Sequence, residues 1–252
     1  MHPDILSIAI IIIANLFAGF IGGQVGGSGM ITLPVLLFLG LSPSSAIATM
    51  KFSDVFTNLA AAIPYFRKKK FQLKNAIIFG IICAIGGVLG AYITVTIDET
   101  LLKQIIIGAI LALLIFTIFK KEAGLKDSEY KIKNKHLFLL IPIMFVLGIY
   151  GGAIGMATPT FLAFFFILQG QSFTQSMGMA VFLGFLISLG SAIIFLIHGA
   201  IIFTYAIPQA IASALGAYLG SHYAIKRGNA WVKVLFIIIA SVFLIKLALE
   251  AF

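Results

Sequence analysis

A glycine cluster inside the first apolar run limits what this chain can fold into. Residues Gly22–Gly29 (GGQVGGSG) include five glycines, with apolar residues on both sides. Each glycine disfavours a helix by about 1 kcal/mol relative to alanine, yet the flanks are too apolar for a loop in water. Non-helical backbone within a membrane occurs where protein buries it or where it lines a polar cavity. We therefore expect a helix break that offers backbone N–H groups at membrane depth, with a weaker second break at Gly151–Pro159 (GGAIGMATP).

The composition of the chain places these breaks in a membrane protein. The 252 residues are 61% hydrophobic and 10% charged, whereas soluble domains are about half apolar and a quarter charged. Several runs approach the roughly 20 apolar residues that a helix needs to cross a bilayer, and none alternates with the period of two that is typical of a β-barrel. The sequence predicts an all-α polytopic membrane protein.

Basic residues mark one side of the predicted membrane protein. Fourteen of the 17 basic residues fall in three clusters, at Arg67–Lys70 with Lys74, at Lys120–Lys135, and at Lys226–Arg227 with Lys233. Basic loops lie on the cytoplasmic side of a membrane. We therefore predict a multi-pass protein of the inner (plasma) membrane with these three segments in the cytoplasm, and we expect no nucleic acid as a partner.

The apolar runs predict about ten helical elements in two repeats. Residues 1–119 form the first repeat, residues 120–136 a cytoplasmic linker, and residues 137–252 the second repeat. The predicted elements are Ile5–Gly22, Met30–Gly40, Ser44–Phe66, Leu73–Val95, Leu101–Phe119, Leu137–Ile149, Thr160–Leu168, Phe173–Ile197, Ile202–Tyr223 and Trp231–Leu249.

The repeats are visible as an internal match in the sequence. One constant shift places Gly19, Gly22, Gly23 and Gly26 on Gly148, Gly151, Gly152 and Gly155, and GVLGAY (Gly87–Tyr92) matches SALGAY (Ser213–Tyr218) at a slightly smaller shift. The distribution of basic loops gives the two repeats opposite orientations. Inverted repeats, each with a glycine-broken helix, are typical of transporters that bind their substrate near the membrane midplane.

The same features, taken in order, resemble the sulfite exporter TauE/SafE family of membrane permeases. In the first repeat they are the glycine-rich break, Pro34, Gly40, Ala46–Thr49 and the basic loop. In the second repeat they are GGAIGMATPT, QGQSFTQSMGMA and the turn Leu196–Ile201. The resemblance covers nearly the whole chain. It implies export or uptake of a small sulfur-containing anion such as sulfite or an organosulfonate.

The candidate binding site lies where short helices begin at the two breaks. A helix N-terminus carries about half a positive charge and free N–H groups, so two opposed N-termini favour an oxyanion. Packing of small residues between helices is the alternative role for the glycines. The candidate substrate-binding residues are Gly22, Gly23, Gln24, Gly26, Gly27, Ser28, Gly29, Thr49, Lys51, Asn58, Gly151, Gly152, Gly155, Met156, Thr158 and Gln175.

Lys51 and Asp54 are charges within an apolar helix. A charge at the centre of a membrane helix costs at least about 2.5 kcal/mol unless it is paired, and residues three apart share a helix face. One interpretation is an ion pair that stabilises helix packing. In the other, Lys51 attracts the anion and Asp54 takes part in proton coupling.

The sequence therefore predicts a secondary transporter of a small anion that works by alternating access. A passive anion channel is the first alternative. An intramembrane enzyme is the second, and the protein is expected not to be one because no second titratable cluster or nucleophile–base pair stands out. No metal-ligand spacing and no nucleotide motif are present, so we expect no cofactor. The partners are the small anionic substrate and the lipid bilayer, and a homo-oligomer is left open.

Overall fold

The computed structural model of this chain describes residues 5–68, 71, 73–98, 134–231 and 234. That part contains eight helices of ten or more residues and no β-strand, and residues 229–231 and 234 are also helical. The helices are α1 (Ile5–Val25), α2 (Gly29–Phe38), α3 (Pro43–Arg67), α4 (Leu73–Thr96), α5 (Asn134–Ala153), α6 (Thr158–Leu168), α7 (Phe173–Ile197) and α8 (Phe203–Arg227).

Three of the described helices are long and apolar enough to cross a membrane, namely Ile5–Val25, Asn75–Thr96 and Phe173–Ile197. The predicted all-α membrane fold is confirmed. The predicted helix Leu101–Phe119, residues 120–133 of the predicted linker 120–136, and most of Trp231–Leu249 lie outside the described residues. Residues 134–136 of that linker belong to α5.

The first helix break is shorter than predicted. Helix α1 continues to Val25 instead of ending at Gly22, and only residues 26–28 are non-helical. Gly23 remains in the helix because it packs there: a Cβ atom on it would collide with the backbone carbonyl oxygen of Ala217 in α8. Small residues allow helices in membranes to approach closely. The helix ends where Gly26 and Gly27 adopt φ angles of 77° and 79°, which glycine adopts without steric strain.

The second break has the same form. Helix α5 extends to Ala153, beyond the predicted end at Ile149, and the chain leaves the helix over residues 154–157. Gly155 has a φ of 77°, equal to that of Gly26, and Ala157 has a φ of 55°. An alanine in this left-handed region is strained, and it lies directly before the first residue of α6.

Both short helices end in the same turn. Gly40 after α2 has a φ of 85°, and Gly170 after α6 has a φ of 95°. In both turns the N–H two residues beyond the cap bonds back over five residues, from Leu41 to Leu36 at 3.2 Å and from Gln171 to Phe166 at 3.1 Å. This is the Schellman arrangement that satisfies the last helix carbonyls. Each turn then leads into a long helix with a serine N-cap, Ser42 for α3 and Ser172 for α7.

Helix α1 packs along α8, and α5 packs along α4. A Cβ on Gly216 would collide with the carbonyl oxygen of Leu16, and a Cβ on Gly86 would collide with that of Phe145. Leu16 and Phe145 are equivalent positions under the shift that aligns the glycines of the two breaks, and Gly86 and Gly216 match at nearly the same shift. The packing contacts therefore pair Gly86 with Gly216, whereas the sequence match of GVLGAY with SALGAY aligns the two helices four residues, or about one turn, differently. Both alignments fit because small residues recur every four positions along both helices.

Helices α3 and α7 contact each other, and two apolar clusters lie along them. Ala46–Met50 near the start of α3 belong to one cluster together with Phe195 near the end of α7. Tyr65 near the end of α3 belongs to the other cluster together with Phe173 at the start of α7. The two helices therefore pass the clusters in opposite order. The polar middle of α3 lies between the clusters, whereas the middle of α7 belongs to the cluster that contains Tyr65.

A row of hydrogen bonds joins α3 to the helix α8. Three hydroxyl groups of α3, each one turn from the next, face α8. Thr49 accepts from the Ile202 N–H at 3.1 Å, Ser53 accepts from the Gln209 side chain, and Thr57 bonds to Ser213 at 2.6 Å. The equivalent positions on α7, in the alignment that places Ser42 on Ser172, are apolar: Met179, Leu183 and Ile187. This polar seam, defined by Thr49, Ser53, Thr57, Gln209 and Ser213, makes α3 and α8 less apolar than the three spanning helices.

Candidate functional site

The two helix breaks touch each other. A Cβ on Gly26 would lie 2.7 Å from the backbone nitrogen of Thr160 in the first turn of α6, and the Thr160 hydroxyl donates to the Val25 carbonyl oxygen at 3.0 Å. From the other side, a Cβ on Gly29 at the start of α2 would lie 3.3 Å from the Cα of Met156. Each break therefore packs against the helix start that follows the other break.

A pocket opens beside this contact. It lies between the two breaks and the middle parts of α3 and α7, and its empty volume, open mouth included, is about 280 Å³. Eight predicted site residues line it, including Asp54. The lining residues are Gly27, Ser28, Gly29, Lys51, Asp54, Asn58, Gly155, Ala157, Thr158, Pro159, Gly184, Ile187 and Ser188.

Lys51 and Asp54 form a buried ion pair in the wall of the pocket. The Lys51 Nζ lies 3.3 Å from the Asp54 Oδ2, and Lys51 is 2% exposed. This is a long contact for a charge-assisted hydrogen bond, which is usually about 2.7–2.9 Å. The ammonium group makes no other hydrogen bond to a described residue, so two of its three N–H groups remain for a ligand.

Gly155 makes room for the ammonium group. A Cβ on Gly155 would fall on the Nζ and Cε atoms of Lys51. The second break is thereby in direct contact with the cation of α3. The glycine is required both by its positive φ and by the space that the lysine occupies.

Two helix starts face the same pocket. Ser28 precedes α2 and Ala157 precedes α6, and neither helix has a side-chain cap on its first N–H groups. Pro159, which has no N–H to satisfy, lies in the first turn of α6, a position that proline favours. First-turn N–H groups of both helices already bond to backbone carbonyl oxygens within the breaks, so each helix start acts on an anion chiefly through the positive end of its dipole. Positive electrostatic potential therefore reaches the pocket from both short helices and from Lys51.

Thr158 contributes less than predicted. Its hydroxyl group lines the pocket but donates to the Gly155 carbonyl oxygen at 3.1 Å. Because the hydroxyl proton is already donated to this carbonyl group, the Thr158 side chain can only accept a hydrogen bond from a ligand in this conformation.

Two further polar side chains face the pocket from the middle parts of α3 and α7. Asn58 is 8% exposed and Ser188 is 1% exposed. Neither side chain makes a hydrogen bond to another described residue. Sequence reasoning identified Asn58 and missed Ser188, together with Gly184, Ala157, Pro159 and Ile187. The signal for Ser188 was present, because the internal alignment that places Gly40 on Gly170 also places Asn58 on Ser188.

Several predicted site residues have structural contacts instead. Gln24 accepts a hydrogen bond from the Trp231 indole at 2.8 Å, and Gln175 forms a capping box with Ser172 at the start of α7. Thr49 belongs to the polar seam. None of these three side chains lines the pocket.

The remaining predicted glycines shape the breaks without lining the pocket. Gly22 and Gly151 pack over Ser28 and Thr158, the residues at the starts of the short helices. Gly152 packs on the backbone of α4, as Gly23 does on α8. The predicted Met156 contributes its carbonyl oxygen, which accepts from the Tyr150 hydroxyl at 2.8 Å.

The donor set of the pocket suits an anion. Among the described residues no three His, Cys, Asp or Glu side chains are placed to hold a metal ion. The titratable groups in the lining are Lys51 and Asp54. The other polar groups are amide, hydroxyl and backbone N–H groups, which donate hydrogen bonds to oxyanions.

The sequence of this chain is similar to those of known membrane transporters. The family model described as sulfite exporter TauE/SafE matches residues 11–247. The probable membrane transporter protein ORF9 of Sinorhizobium sp is 29% identical over 242 residues, which cover 95% of this chain and 92% of that protein. A probable membrane transporter protein of Haemophilus influenzae is 26% identical, with coverages of 92% and 91%.

The probable membrane transporter protein YfcA of Escherichia coli (strain K12) is 24% identical over 247 residues, which cover 98% of this chain and 91% of that protein. No solved structure matches this chain.

Proposed function

We propose that this chain, which belongs to the sulfite exporter TauE/SafE family, is a secondary transporter of a small anion. Its substrate is sulfite or an organosulfonate. The relatives are named as membrane transporters, which supports a transport function over catalysis. The protein resides in the inner membrane, with the loop at Arg67–Lys70 on the cytoplasmic side.

The observation that carries this proposal is the free side of the Lys51 ammonium group. It lies in the pocket where the two breaks meet, between the uncapped starts of two short helices. A buried cation with unused N–H groups requires a compensating partner. Asp54 provides one on one side only, and an oxyanion in the pocket provides the other.

The duplicated packing supports transport by alternating access around this pocket. Equivalent positions recur at a nearly constant spacing in the breaks, the turns and the glycine contacts. Helices α3 and α7 contact the two apolar clusters in opposite order along the chain, as equivalent helices of inverted repeats should. In this mechanism each cluster closes one side of the pocket in turn.

Asp54 couples the anion to a proton. At rest its carboxylate competes with an incoming anion for Lys51, and protonation of Asp54 removes that competition. The other described residues of the pocket lining, on α2, α6, α7 and the breaks, carry no titratable side chain. The proton and the anion therefore bind together, and a proton gradient directed into the cell drives uptake of the anion.

Binding of sulfite and methanesulfonate to the purified protein tests the role of Lys51. Lys51→Ala removes the cation, and since hydrogen bonds between charged groups contribute about 1.5–3 kcal/mol, we expect at least roughly tenfold weaker binding. Protein abundance should fall much less than affinity. Equal affinity of the variant and the wild type would remove Lys51 from the site.

Transport in proteoliposomes tests the role of Asp54. Asp54→Asn cannot release a proton, so uptake driven by a pH gradient should be abolished while exchange of substrate across the membrane continues. An undiminished response to the gradient would refute the coupling. The exchange assay also separates a carrier from a channel, because only a carrier shows stimulation by substrate on the opposite side.

A further inference from the structure

We propose that Asn58 and Ser188, one from each half of the chain, bind the oxygen atoms of the transported anion while Lys51 holds its charge. This inference rests on the proposed function. It adds a substrate contact on the second half, at a residue that neither the sequence motifs nor the resemblance indicates.

The first argument is that both side chains lack partners where partners are expected. Asn58 is 8% exposed and Ser188 is 1% exposed, and neither is hydrogen-bonded to a described residue. Buried polar side chains nearly always have a partner, and for a side chain that lines a pocket the partner is water or a ligand. The neighbouring Ser191 shows the usual case, since its hydroxyl donates to Ile187 at 2.8 Å and to Gly87 at 3.1 Å.

The second argument is position. Both residues line the pocket that holds the Lys51 ammonium group. Ser188 lies one helical turn after Gly184, and a Cβ on Gly184 would lie 3.3 Å from the amide nitrogen and oxygen of Asn58. The absence of a side chain at Gly184 thus brings α7 close to the Asn58 amide, so the two polar groups converge on one region of the pocket.

The third argument is the duplication. Asn58 and Ser188 are equivalent positions in the alignment that relates Ser42 to Ser172 and Gly40 to Gly170. The charged pair is not duplicated, because the positions equivalent to Lys51 and Asp54 hold Val181 and Gly184. Charge is therefore supplied by one half only, while a neutral hydrogen-bonding group is retained in both. An anion held by both groups contacts α3 and α7 at once.

The test compares Ser188→Ala with Ser191→Ala, two buried serines on the same helix. For each purified variant, the melting temperature without ligand and the affinities for sulfite and methanesulfonate are measured. We expect Ser188→Ala to bind both anions roughly ten- to hundredfold more weakly. Its melting temperature without ligand should stay close to that of the wild type, because the Ser188 hydroxyl group makes no hydrogen bond to a described residue.

The control variant should show the reverse. Ser191→Ala loses a hydrogen bond between α7 and α4, so its melting temperature should fall while its affinities stay within about twofold of the wild type. Asn58→Ala should weaken binding in the same way as Ser188→Ala. A Ser188→Ala variant that binds both anions as the wild type does would overturn this inference, as would a loss of affinity that merely follows a loss of stability.

The outcome for Lys51→Ala separates this inference from the proposed function. If Lys51→Ala loses binding and Ser188→Ala does not, the anion site stands and its extension to Ser188 is wrong. If the wild type binds neither anion, both fail.

Discussion

Gly155 is constrained both by its backbone and by its neighbour. Its φ of 77° favours glycine, and the Lys51 ammonium group occupies the space of a side chain. Gly170 has a similar φ of 95°, but a Cβ there would meet nothing within 4 Å. Substitution of Gly170 would therefore cause backbone strain alone, whereas substitution of Gly155 would cause backbone strain and also displace Lys51.

We predict that Gly155→Ala abolishes anion binding while Gly170→Ala does not. Both variants should be destabilised by about 1–2 kcal/mol, since alanine is disfavoured in the left-handed region. Only Gly155→Ala pushes Lys51 out of place. Titration calorimetry with methanesulfonate checks the difference, and similar affinities of the two variants would contradict the placement of the ammonium group on Gly155.

Individual site residues were predictable where their chemistry is unusual for their surroundings. Lys51 and Asp54 stand out because charges are rare in an apolar helix, and the structure brings them together in the pocket. Ser188 did not stand out, because a serine in a membrane helix usually packs or bonds to its own backbone. Gln24 was misleading, since its partner Trp231 is 207 residues away in the chain and no local pattern connects them.

At the scale of elements, helix contacts depend on where glycine removes a side chain. Gly216 of α8 lies on the carbonyl oxygen of Leu16 in α1. The adjacent Leu215 is 58% exposed and faces away from that contact. A side chain at Gly216 would separate the two helices, whereas truncation of Leu215 leaves their contact unchanged.

We predict that Gly216→Ala lowers the free energy of unfolding by about 1–3 kcal/mol, as overpacking typically does. Leu215→Ala, the control, should change it by less than about 0.5 kcal/mol. Gly86→Ala should behave like Gly216→Ala, because it meets the Phe145 carbonyl oxygen in the equivalent contact. Thermal unfolding in detergent checks all three. Tolerance of Gly216→Ala would argue against close packing of α1 on α8.

The helices that the structure describes agree well with prediction, and their junctions agree less well. Phe173–Ile197 has the predicted bounds, because a serine cap and a polar turn mark its two ends. The low helix propensity of glycine predicts an end of α1 at Gly22, whereas in a packed membrane helix Gly22 and Gly23 permit close contact. The positive φ at Gly26 and Gly27 ends the helix, and glycine content alone does not reveal which glycines adopt it.

At the scale of the whole molecule, the described parts of the two halves are alike in backbone and unlike in polarity. Breaks, turns and caps recur, but the Lys51–Asp54 pair and the polar seam occur on α3 and have no counterpart on α7 in the described residues. The internal match in the sequence predicts the duplication, and the recurring breaks, turns and caps agree with it. The asymmetry was visible for the charges but not for the seam, since hydroxyl groups in membrane helices are common.

Inverted repeats require equivalent segments of the two halves to end on opposite sides of the membrane. Lys68 follows α3 and His198 follows α7, at equivalent positions of the two halves. In a Cys83→Ser background, we predict that a cysteine at position 68 is labelled by an impermeant maleimide only from the cytoplasm, and one at position 198 only from outside. Labelling of both from one side would exclude inversion.

The central claim is that a buried lysine at the meeting point of the two breaks binds the anion. Calorimetric titration of methanesulfonate into Asp54→Asn and into the double variant Lys51→Met, Asp54→Asn tests it most directly, because neither protein leaves an unpaired carboxylate at position 54. We predict that Asp54→Asn binds the anion at least as tightly as the wild type, whereas the double variant shows no measurable binding. Equal binding by the two variants would contradict the claim.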